Sequence, residues 1–537
     1  MPKVFVDGNE IELGDHERLN GIQAAARVGI DIPRYCWHPG LAVVASCRMC
    51  LVESGTRNAE TGKIDMLPKL VPACQTPAKD GTVFVTNSQK VHEARARVEE
   101  DLLLRHPVDC PICDKAGECY LQDYHFEHGQ AQRRADIRPF TSRRRDVGPT
   151  VTLFVDRCVM CSRCVRFTRE IAGSSELMVI NRGSHEEIDT VPGFPLANKL
   201  SGNVVDLCPV GALGDKDFLY RQRVWFMKKH PGVCTGCSTG CSIFTEENQD
   251  HVYRLKPREN PEVNHWWMCD EGRYGFHYVH SEQRQIGLRR RDATGYTEMD
   301  WSLLADELKA KLSKTKRLAA VLSPHLTVEE AYLLAKYLRM FDPDTVLALG
   351  PVPVVGEDER FKSGFIIHAE KCPNRRGVEA VIRHFTGDCV TFGDLLPRVE
   401  QGEFDGVWVT GGYPTPQFGD DVAKRFEAVP LLVVQDLFAS PLWDRAIYQV
   451  SGGSFAERDG SYVNYAGRLQ RATWAVRPPA GAWVEGQLYW RLLEMPGLFN
   501  SRKVLSDVAA EIPYFAEAGR EIPPTGVDLR LNQLAAS

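Results

Sequence analysis

The sequence predicts a multidomain protein, α+β in its first half and α/β in its second. Three observations lead there. The chain has 537 residues, which at ~150 residues per domain makes three or four domains. Of its 17 cysteines, 15 lie between Cys36 and Cys269, at short spacings among hairpin and helix patterns. From about residue 276 only Cys372 and Cys389 remain, and short apolar runs alternate with helical periodicity.

Composition sets the outer bounds. Hydrophobic content of 43% and charged content of 25% are ordinary for a soluble globular chain. A net charge of -6 argues against binding nucleic acid through an overall positive field. "MPKVFVDGNEIEL" has no basic start followed by an apolar stretch, and no apolar run reaches the ~18 residues of a membrane span. The expectation is a cytosolic protein that meets a membrane only through partners. An odd number of cysteines without signs of export disfavours a disulfide framework and favours metal.

Residues 1–90 open with "KVFVDG-NEIEL", two short strands around Asp7-Gly8-Asn9. "RLNGIQAAARVG" has helical spacing and stops at Gly29. Cys36, Cys47 and Cys50 follow with gaps of ten and two residues, Cys74 comes 23 further on, and "TVFVTN" reads as a closing strand. Ala45 and Ser46 are small enough to let backbone N–H groups approach sulfur. Hairpin, helix, cysteine loop and later lone cysteine resemble a β-grasp [2Fe–2S] ferredoxin of plant type, although its first gap is four residues. The longer gap is that of the ferredoxin-like domain of respiratory NADH:quinone oxidoreductases and their hydrogenase relatives. A zinc site is the competing use of these cysteines.

The domain expected over 91–140 is entered through residues 88–104, "SQKVHEARARVEEDLLL", helical through Val91, Ala94, Val98 and Leu102 and capped by Asn87 or Ser88. The helix delivers His106, and "HPVDCPICDKAGECY" adds Cys110, Cys113 and Cys119. Pro107 and Pro111 stop the helix and bend the chain into a cup. The spacing H-x3-C-x2-C-x5-C resembles a [4Fe–4S] site of the same oxidoreductases and of several hydrogenases, which makes His106 the fourth ligand rather than a surface histidine. His125 and His128 do not fit this spacing. An imidazole in place of a thiolate removes one negative charge, which by itself favours the reduced form.

Residues 141–220 carry Cys158, Cys161 and Cys164 in "DRCVMCSRCVRFTRE", and Cys208 in "LCPVG". Two-cluster ferredoxins repeat C-x2-C-x2-C-x3-C-P, the last cysteine of each run serving the other run's cluster. Thr168 fills the fourth place of the first run, and Asn198, Ser201 and Val204 fill the first three of the second. The losses all fall on one cluster, so the resemblance is to a degenerate two-cluster ferredoxin with one [4Fe–4S] cluster on Cys158, Cys161, Cys164 and Cys208. The basic run "RRADIRPFTSRRRD", 133–146, reads as a solvated linker or partner-facing surface rather than a nucleic-acid patch.

Residues 221–275 supply Cys234, Cys237, Cys241 and Cys269. Gly232, Gly236 and Gly240 would let N–H groups turn inward, and Trp266 and Trp267 would cover the site. The pattern resembles the [4Fe–4S] domain that opens molybdopterin-dependent oxidoreductases, with a zinc ribbon as the competing reading. Residues 276–537 give a strand, a Ser323-Pro324 turn and an amphipathic helix, then the buried parallel strands "TVLALG", "DGVWVTGG" and "PLLVVQD". "GGSFAERDGSYVNYAGRLQRA" resembles a segment of the molybdopterin family that precedes its pterin-binding region. Glu271 stands where that family usually has a lysine, and the remaining chain is short for two pterins, so no molybdopterin is expected. Cys372 and Cys389 read as core thiols. No G-x-G-x-x-G after a strand, P-loop or HExxH occurs.

The order of motifs resembles the large iron–sulfur subunit, of G type, of bacterial NADH:quinone oxidoreductase. The resemblance implies one [2Fe–2S] and three [4Fe–4S] clusters and no substrate site of its own. Single electrons would come from a flavin- and NADH-binding iron–sulfur subunit and leave to a two-[4Fe–4S] ferredoxin-like subunit and the quinone-side subunits, at the cytoplasmic face of the membrane. The implied route is the [2Fe–2S] cluster, then the Cys158 cluster, then the His106 cluster, with the Cys234 cluster off the path. An electron-transfer subunit of an NAD-linked formate dehydrogenase or hydrogenase is the enzymatic alternative. A zinc-stabilised scaffold is the alternative without redox chemistry.

Overall fold

A computed structural model describes residues 1–530 except Arg133, Ser142 and Ser184. It divides into two compact units, Met1–Phe226 with Phe361–Ser363, and Met227–Arg360 with the chain from Gly364 onward. The Cys234 segment therefore shares a unit with the α/β region.

In the first unit the strands Lys3–Val6 and Asn9–Glu12 pair antiparallel across Asp7 (φ 45°) and Gly8 (φ 84°). Two successive left-handed residues make the mirror-image turn whose twist suits a hairpin. The sheet runs Asn9–Glu12, Lys3–Val6, Thr82–Val85, Leu51–Arg57 and Ile64–Met66, with Lys3–Val6 parallel to Thr82–Val85. The helix Gly21–Arg27 is closed at its start by a capping box between Asn20 and Gln23. Val4, Val6, Ile22, Val52 and Phe84 form one core with Cys50 and Cys74, so two of the expected ligands grow directly from it.

The helix Gln89–Leu103 starts at Ser88, whose side chain accepts from the Val91 N–H. Its buried residues are Val91, Arg95, Ala96 and Glu99; of the expected stripe, Val91 is buried and Ala94, Val98 and Leu102 are half-buried. The face turned inward is the one that meets a polar partner: Glu99 accepts the Tyr35 hydroxyl at 2.5 Å. Burial lifts the Glu99 carboxyl to about 7.

A second sheet in this unit pairs Val151–Phe154 with Leu213–Asp215 and Arg144–Asp146. The basic run contains Arg133 and Ser142, which lie outside the described residues; its described arginines are at the solvated surface that was expected, and several also meet acids there. Arg134 pairs with Glu100 at 2.5 Å, Arg143 with Asp156 at 2.8 Å and Glu187 at 2.7 Å, and Arg145 with Asp189 at 2.6 Å. The arginine side chains stay 34–70% accessible, so these pairs lie at the surface.

In the second unit Lys228–Val233, Ser242–Asn248 and His251–Pro257 form an antiparallel sheet. The expected buried strands appear as Leu318–Leu322, Val346–Leu349, Gly406–Thr410 and Leu431–Asp436, all parallel within an eight-stranded sheet. The helix after Ser323-Pro324 is Val328–Arg339, capped by Thr327 with Glu330. It is buried on nearly every side, where an amphipathic helix was expected, because the helices Glu485–Leu492 and Ser501–Glu511 pack against it as well as the sheet. Glu329 is thereby buried, accepting the Ser461 N–H and hydroxyl at 2.8 Å each. Burial raises its carboxyl from the ordinary 4.5 to about 7. A carboxyl that holds its proton more tightly when folded adds stability below its unfolded pKa and loses it as pH rises through the folded one. We expect Glu329→Gln to flatten the fall in urea-unfolding free energy between about pH 5 and 8 by up to roughly 3 kcal/mol. Unchanged pH profiles for variant and parent would refute it.

Candidate metal centres

The first candidate centre hangs between the ends of the first sheet. Cys36, Cys50 and Cys74 are buried and Cys47 half-buried. The Cys36 N–H points to Cys47 Sγ at 3.5 Å, and Asn20 Nδ2 fixes the Cys74 carbonyl at 3.0 Å. Ala45 (φ 52°) and Arg48 (φ 61°) take up the left-handed backbone, a cost that non-glycine residues bear where a loop must wrap something. The Cys36 thiol is drawn down to about 5, first by its hydrogen bond with Cys47, and Cys50 is drawn down by Cys74. The four expected sulfurs thus lie in one electrostatic field.

The second candidate centre follows the helix Gln89–Leu103. Cys113 and Cys119 are buried and Cys110 half-buried. Burial pushes Cys119 up to about 11 and pulls His106 down to about 4, so His106 is neutral at pH 7, the form that binds metal. Asp109 and Arg157 act on both His106 and Cys113, and are ion-paired to each other at 2.6 Å. Arg223 Nη1 holds the Cys113 carbonyl at 2.7 Å. A side chain at Gly211 would have its Cβ 2.2 Å from Cys113 Sγ, so the "CPVGA" turn can pass here only as glycine.

The third candidate centre surrounds a cavity, with Cys161, Cys164 and Cys208 buried and Cys158 half-buried. Cys158, Cys161, Cys164 and Cys208 line one cavity with Leu153, Ile188 and Val210 among its apolar walls. Met160 (φ 48°) and Ser162 (φ 57°) are left-handed, and the Met160 N–H points to Cys158 Sγ at 3.4 Å. Burial, then neighbouring thiols, pushes Cys161 up to about 11 and Cys164 well above the ordinary thiol value. The positions that depart from the two-cluster pattern are used otherwise. Thr168 Oγ1 donates to the Val165 carbonyl at 3.1 Å, Asn198 Nδ2 to Glu176 at 2.9 Å, Ser201 and Thr150 hydroxyls meet at 2.8 Å, and Val204 is fully buried.

The fourth candidate centre lies in the second unit. Cys234, Cys237, Cys241 and Cys269 are buried and line a second cavity. Cys269 starts the helix Asp270–Tyr274, and the Gly272 N–H points to its Sγ at 3.3 Å. Of Gly232, Gly236 and Gly240, only Gly240 is left-handed (φ 61°). The expected tryptophan cover is corrected: Met268 and Phe365, Ile366 and Ile367 wall the cavity, brought in by a strand pair distant in sequence. Lys371 Nζ reaches Glu271 at 2.7 Å, so a lysine charge stands beside the position where the sequence shows an acid. Cys372 is fully buried, its thiol raised by burial, and Cys389 is half-buried.

Among the described residues no group of three or more His, Cys, Asp and Glu side chains is drawn tightly enough to hold a single metal ion. The sulfurs of the third and fourth centres stand around a space instead. Four thiolates around an apolar space repel one another unless cations lie between them, and a group of several irons and sulfides spans that space. The donor sets fit such clusters.

The segments of all three centres of the first unit touch one another. The Arg34 N–H donates to the Tyr124 hydroxyl at 3.2 Å, joining the Cys36 loop to the helix after Cys119. Arg166 and Arg163 connect the Cys36 loop to the Cys161–Cys164 segment. The Pro209 carbonyl accepts the Tyr120 N–H at 2.9 Å, joining the residues next to Cys208 and Cys119. Sequence reading missed Arg163, Arg166, the Asp109–Arg157 pair and Lys371. Arginines flanking Cys164 in "CSRCVRF" were a visible signal; Lys371 had none.

Four family models match the chain. They are described as a 2Fe-2S iron-sulfur cluster binding domain over residues 3–89, an NADH-ubiquinone oxidoreductase-G iron-sulfur binding region over 95–134, the ferredoxin-like domain of NADH-quinone oxidoreductase subunit 3 over 148–214, and a molybdopterin oxidoreductase Fe4S4 domain over 227–281. Curated relatives named as the G-type subunit of NADH-quinone oxidoreductase include that of Rickettsia felis, 33% identical over 63% of this chain and 49% of the relative. That of Salmonella typhimurium is 34% identical over 65% and 38%, and that of Escherichia coli K12 34% over 62% and 36%. The chain thus spans half or less of the length of these relatives. Among solved structures, an NAD+-reducing [NiFe]-hydrogenase in its H2-reduced state is 27% identical, with a TM-score of 0.35 over 42% of this chain and 91% of that one. No helix among the described residues is long and apolar enough to cross a membrane.

Proposed function

We propose, for a chain homologous over 63% of its length to the G-type subunits of NADH-quinone oxidoreductase, that it is an electron-transfer iron–sulfur subunit of such an oxidoreductase. It passes single electrons from a flavin-bearing partner towards quinone-side iron–sulfur partners and has no substrate site. The single observation that carries this is the gathering of Cys158, Cys161, Cys164 and Cys208 around one apolar cavity, within a segment matched by the ferredoxin-like model. Cys36, Cys47, Cys50 and Cys74 would hold a [2Fe–2S] cluster. His106 with Cys110, Cys113 and Cys119, the Cys158 set, and Cys234 with Cys237, Cys241 and Cys269 would each hold a [4Fe–4S] cluster.

Such clusters, when bound, exchange one electron at a time without taking up substrate atoms. The chain's own residues bury the sulfurs, aim backbone N–H groups at Cys47, Cys158 and Cys269, and exclude water with apolar walls. The Cys36, Cys161 and Cys119 segments all adjoin, which is compatible with the order of transfer that the family resemblance implies.

A molybdopterin-free second unit is part of the same proposal. Ligands of parallel α/β sheets bind beyond the carboxyl ends of the strands. Here a Cβ on Gly411 would lie 2.1 Å from the Asp436 carboxyl carbon, and buried Tyr413 and Arg458 fill the adjoining space.

The test is metal analysis with paramagnetic resonance on the purified full chain. Iron and labile sulfide without molybdenum or nickel is the expected result; zinc in their place would end the proposal. His106→Cys sharpens it: iron content is retained while the reduced-state resonance and potential of one [4Fe–4S] signal change. An identical spectrum would remove His106 from the ligand set.

A further inference from the structure

The geometry points to Arg166, assisted by Arg163, as the residue that couples the Cys36 and Cys158 centres, holding their loops together and setting both reduction potentials with buried positive charge. This rests on the proposed function, since it concerns the clusters those loops would hold.

Both arginines belong to the short helix Arg163–Phe167 that carries Cys164. Arg166 is 2% exposed and Arg163 5%. Arg166 Nη1 donates to the Ala42 carbonyl at 2.5 Å, and its Nη2 donates both to the Cys36 carbonyl and to the Cys161 carbonyl, the latter at 3.2 Å. One nitrogen therefore bonds the backbone of a ligand from each centre. Arg163 repeats the arrangement one turn away, with Nη2 on the Trp37 carbonyl at 2.7 Å and Nη1 on the Leu207 carbonyl at 3.2 Å, next to Cys208. A planar guanidinium can serve several acceptors in fixed directions; an ammonium cannot.

Every hydrogen bond recorded for these two guanidinium groups goes to a backbone carbonyl. The Nε–H of each is buried without an acceptor. Glu170, whose carboxylate accepts the Ala42 N–H and acts on Arg166, and the Tyr120 ring 5.6 Å from the Arg163 guanidinium join the carbonyl dipoles, but one carboxylate does not balance two buried cations. Thiolate-held clusters on either side would supply the remaining negative charge. Reduction adds one more negative charge to a cluster, so a fixed cation beside both favours the reduced form of both.

The test is a potentiometric titration followed by paramagnetic resonance on the full chain with its clusters, comparing Arg166→Met and Arg166→Lys with Arg97→Met, an exposed control 69% accessible in its side chain. Arg166→Met should lower the potentials of the [2Fe–2S] signal and of one [4Fe–4S] signal together, leaving the other two in place. Arg166→Lys should restore most of that shift, since the charge returns, while altering the magnetic interaction between the two reduced clusters, since the shared hydrogen bonds do not. Control and parent should agree. Unmoved potentials in a fully loaded Arg166→Met chain, or a shift in one signal alone, would overturn the inference. So would loss of a cluster in both Arg166 variants, which would make the residue merely structural. A parent chain without iron would instead overturn the proposed function itself, so the two failures are told apart.

Discussion

Cys164→Ala should lose the iron of one [4Fe–4S] cluster and the cooperative unfolding of the surrounding segment, 148–214. Cys164 is 8% exposed. Burial first, and then Cys161, Cys158 and Cys208, pushes its thiol well above the ordinary value. That elevation measures how poorly the cavity tolerates thiolate without cations. Metal binding to such a set is folding free energy, on the order of 10 kcal/mol for structural metal sites. The regular structure here comes in short pieces: the strands Val151–Phe154, Leu177–Ile180 and Glu187–Thr190, the helix Arg163–Phe167 running on into a π turn at Thr168–Ala172, and the helix Asn203–Leu207. Elements so short do not hold a cavity open unaided. Iron and labile-sulfide assays, with limited proteolysis across the segment, provide the measurement. A variant with the parent's iron content and protease resistance would show that Cys164 is not a ligand.

Arg458→Met should destabilise the second unit by about 3–5 kcal/mol, the usual cost of breaking a buried ion pair from one side. Arg458 is 2% exposed, and its guanidinium meets Glu330 at 3.5 Å, Glu485, and the His325 carbonyl at 2.8 Å. Both acids are 1% exposed. Without the arginine they would be two carboxylates facing each other in a site closed to water. Burial already raises Glu485 to about 7 with Arg458 in place. The penalty should therefore shrink towards acid pH, where the carboxyls take up protons, and grow above about pH 7. Urea unfolding of the full chain at two pH values reads this directly. A loss under 1 kcal/mol at neutral pH would mean that the unit re-solvates the pair and that Arg458 does not close the crevice at the strand ends.

The legible parts of the sequence share a physical property. The hairpin at Asp7-Gly8, the helix begun at Asn20, the helix begun at Ser88 and the parallel apolar strands each follow from neighbours within a few residues. The cysteine groupings were legible for a related reason. Ligands two or three residues apart must converge if the loop turns at all, and the spacing states the turn. What was not legible was part of the judgement about which face meets what. Arg95 and Glu99 are buried, and Ala94 and Val98 only half-buried. Val328–Arg339 is buried on nearly all sides. Phe365–Ile367 covers the Cys234 cavity where Trp266 and Trp267 were expected.

The sequence by itself determined where the sulfur donors lie along the chain, which of them share a loop, and that the second half is a parallel α/β region. Only the tertiary structure decided which centres adjoin, which charges are buried between them, and that Lys371 stands beside Glu271. The reason is range. Turns, caps and metal loops are settled by residues a few positions apart, whereas Arg166 meets Cys36 across 130 positions and Lys371 meets Glu271 across 100. Such meetings come from packing of whole elements, which no local spacing encodes.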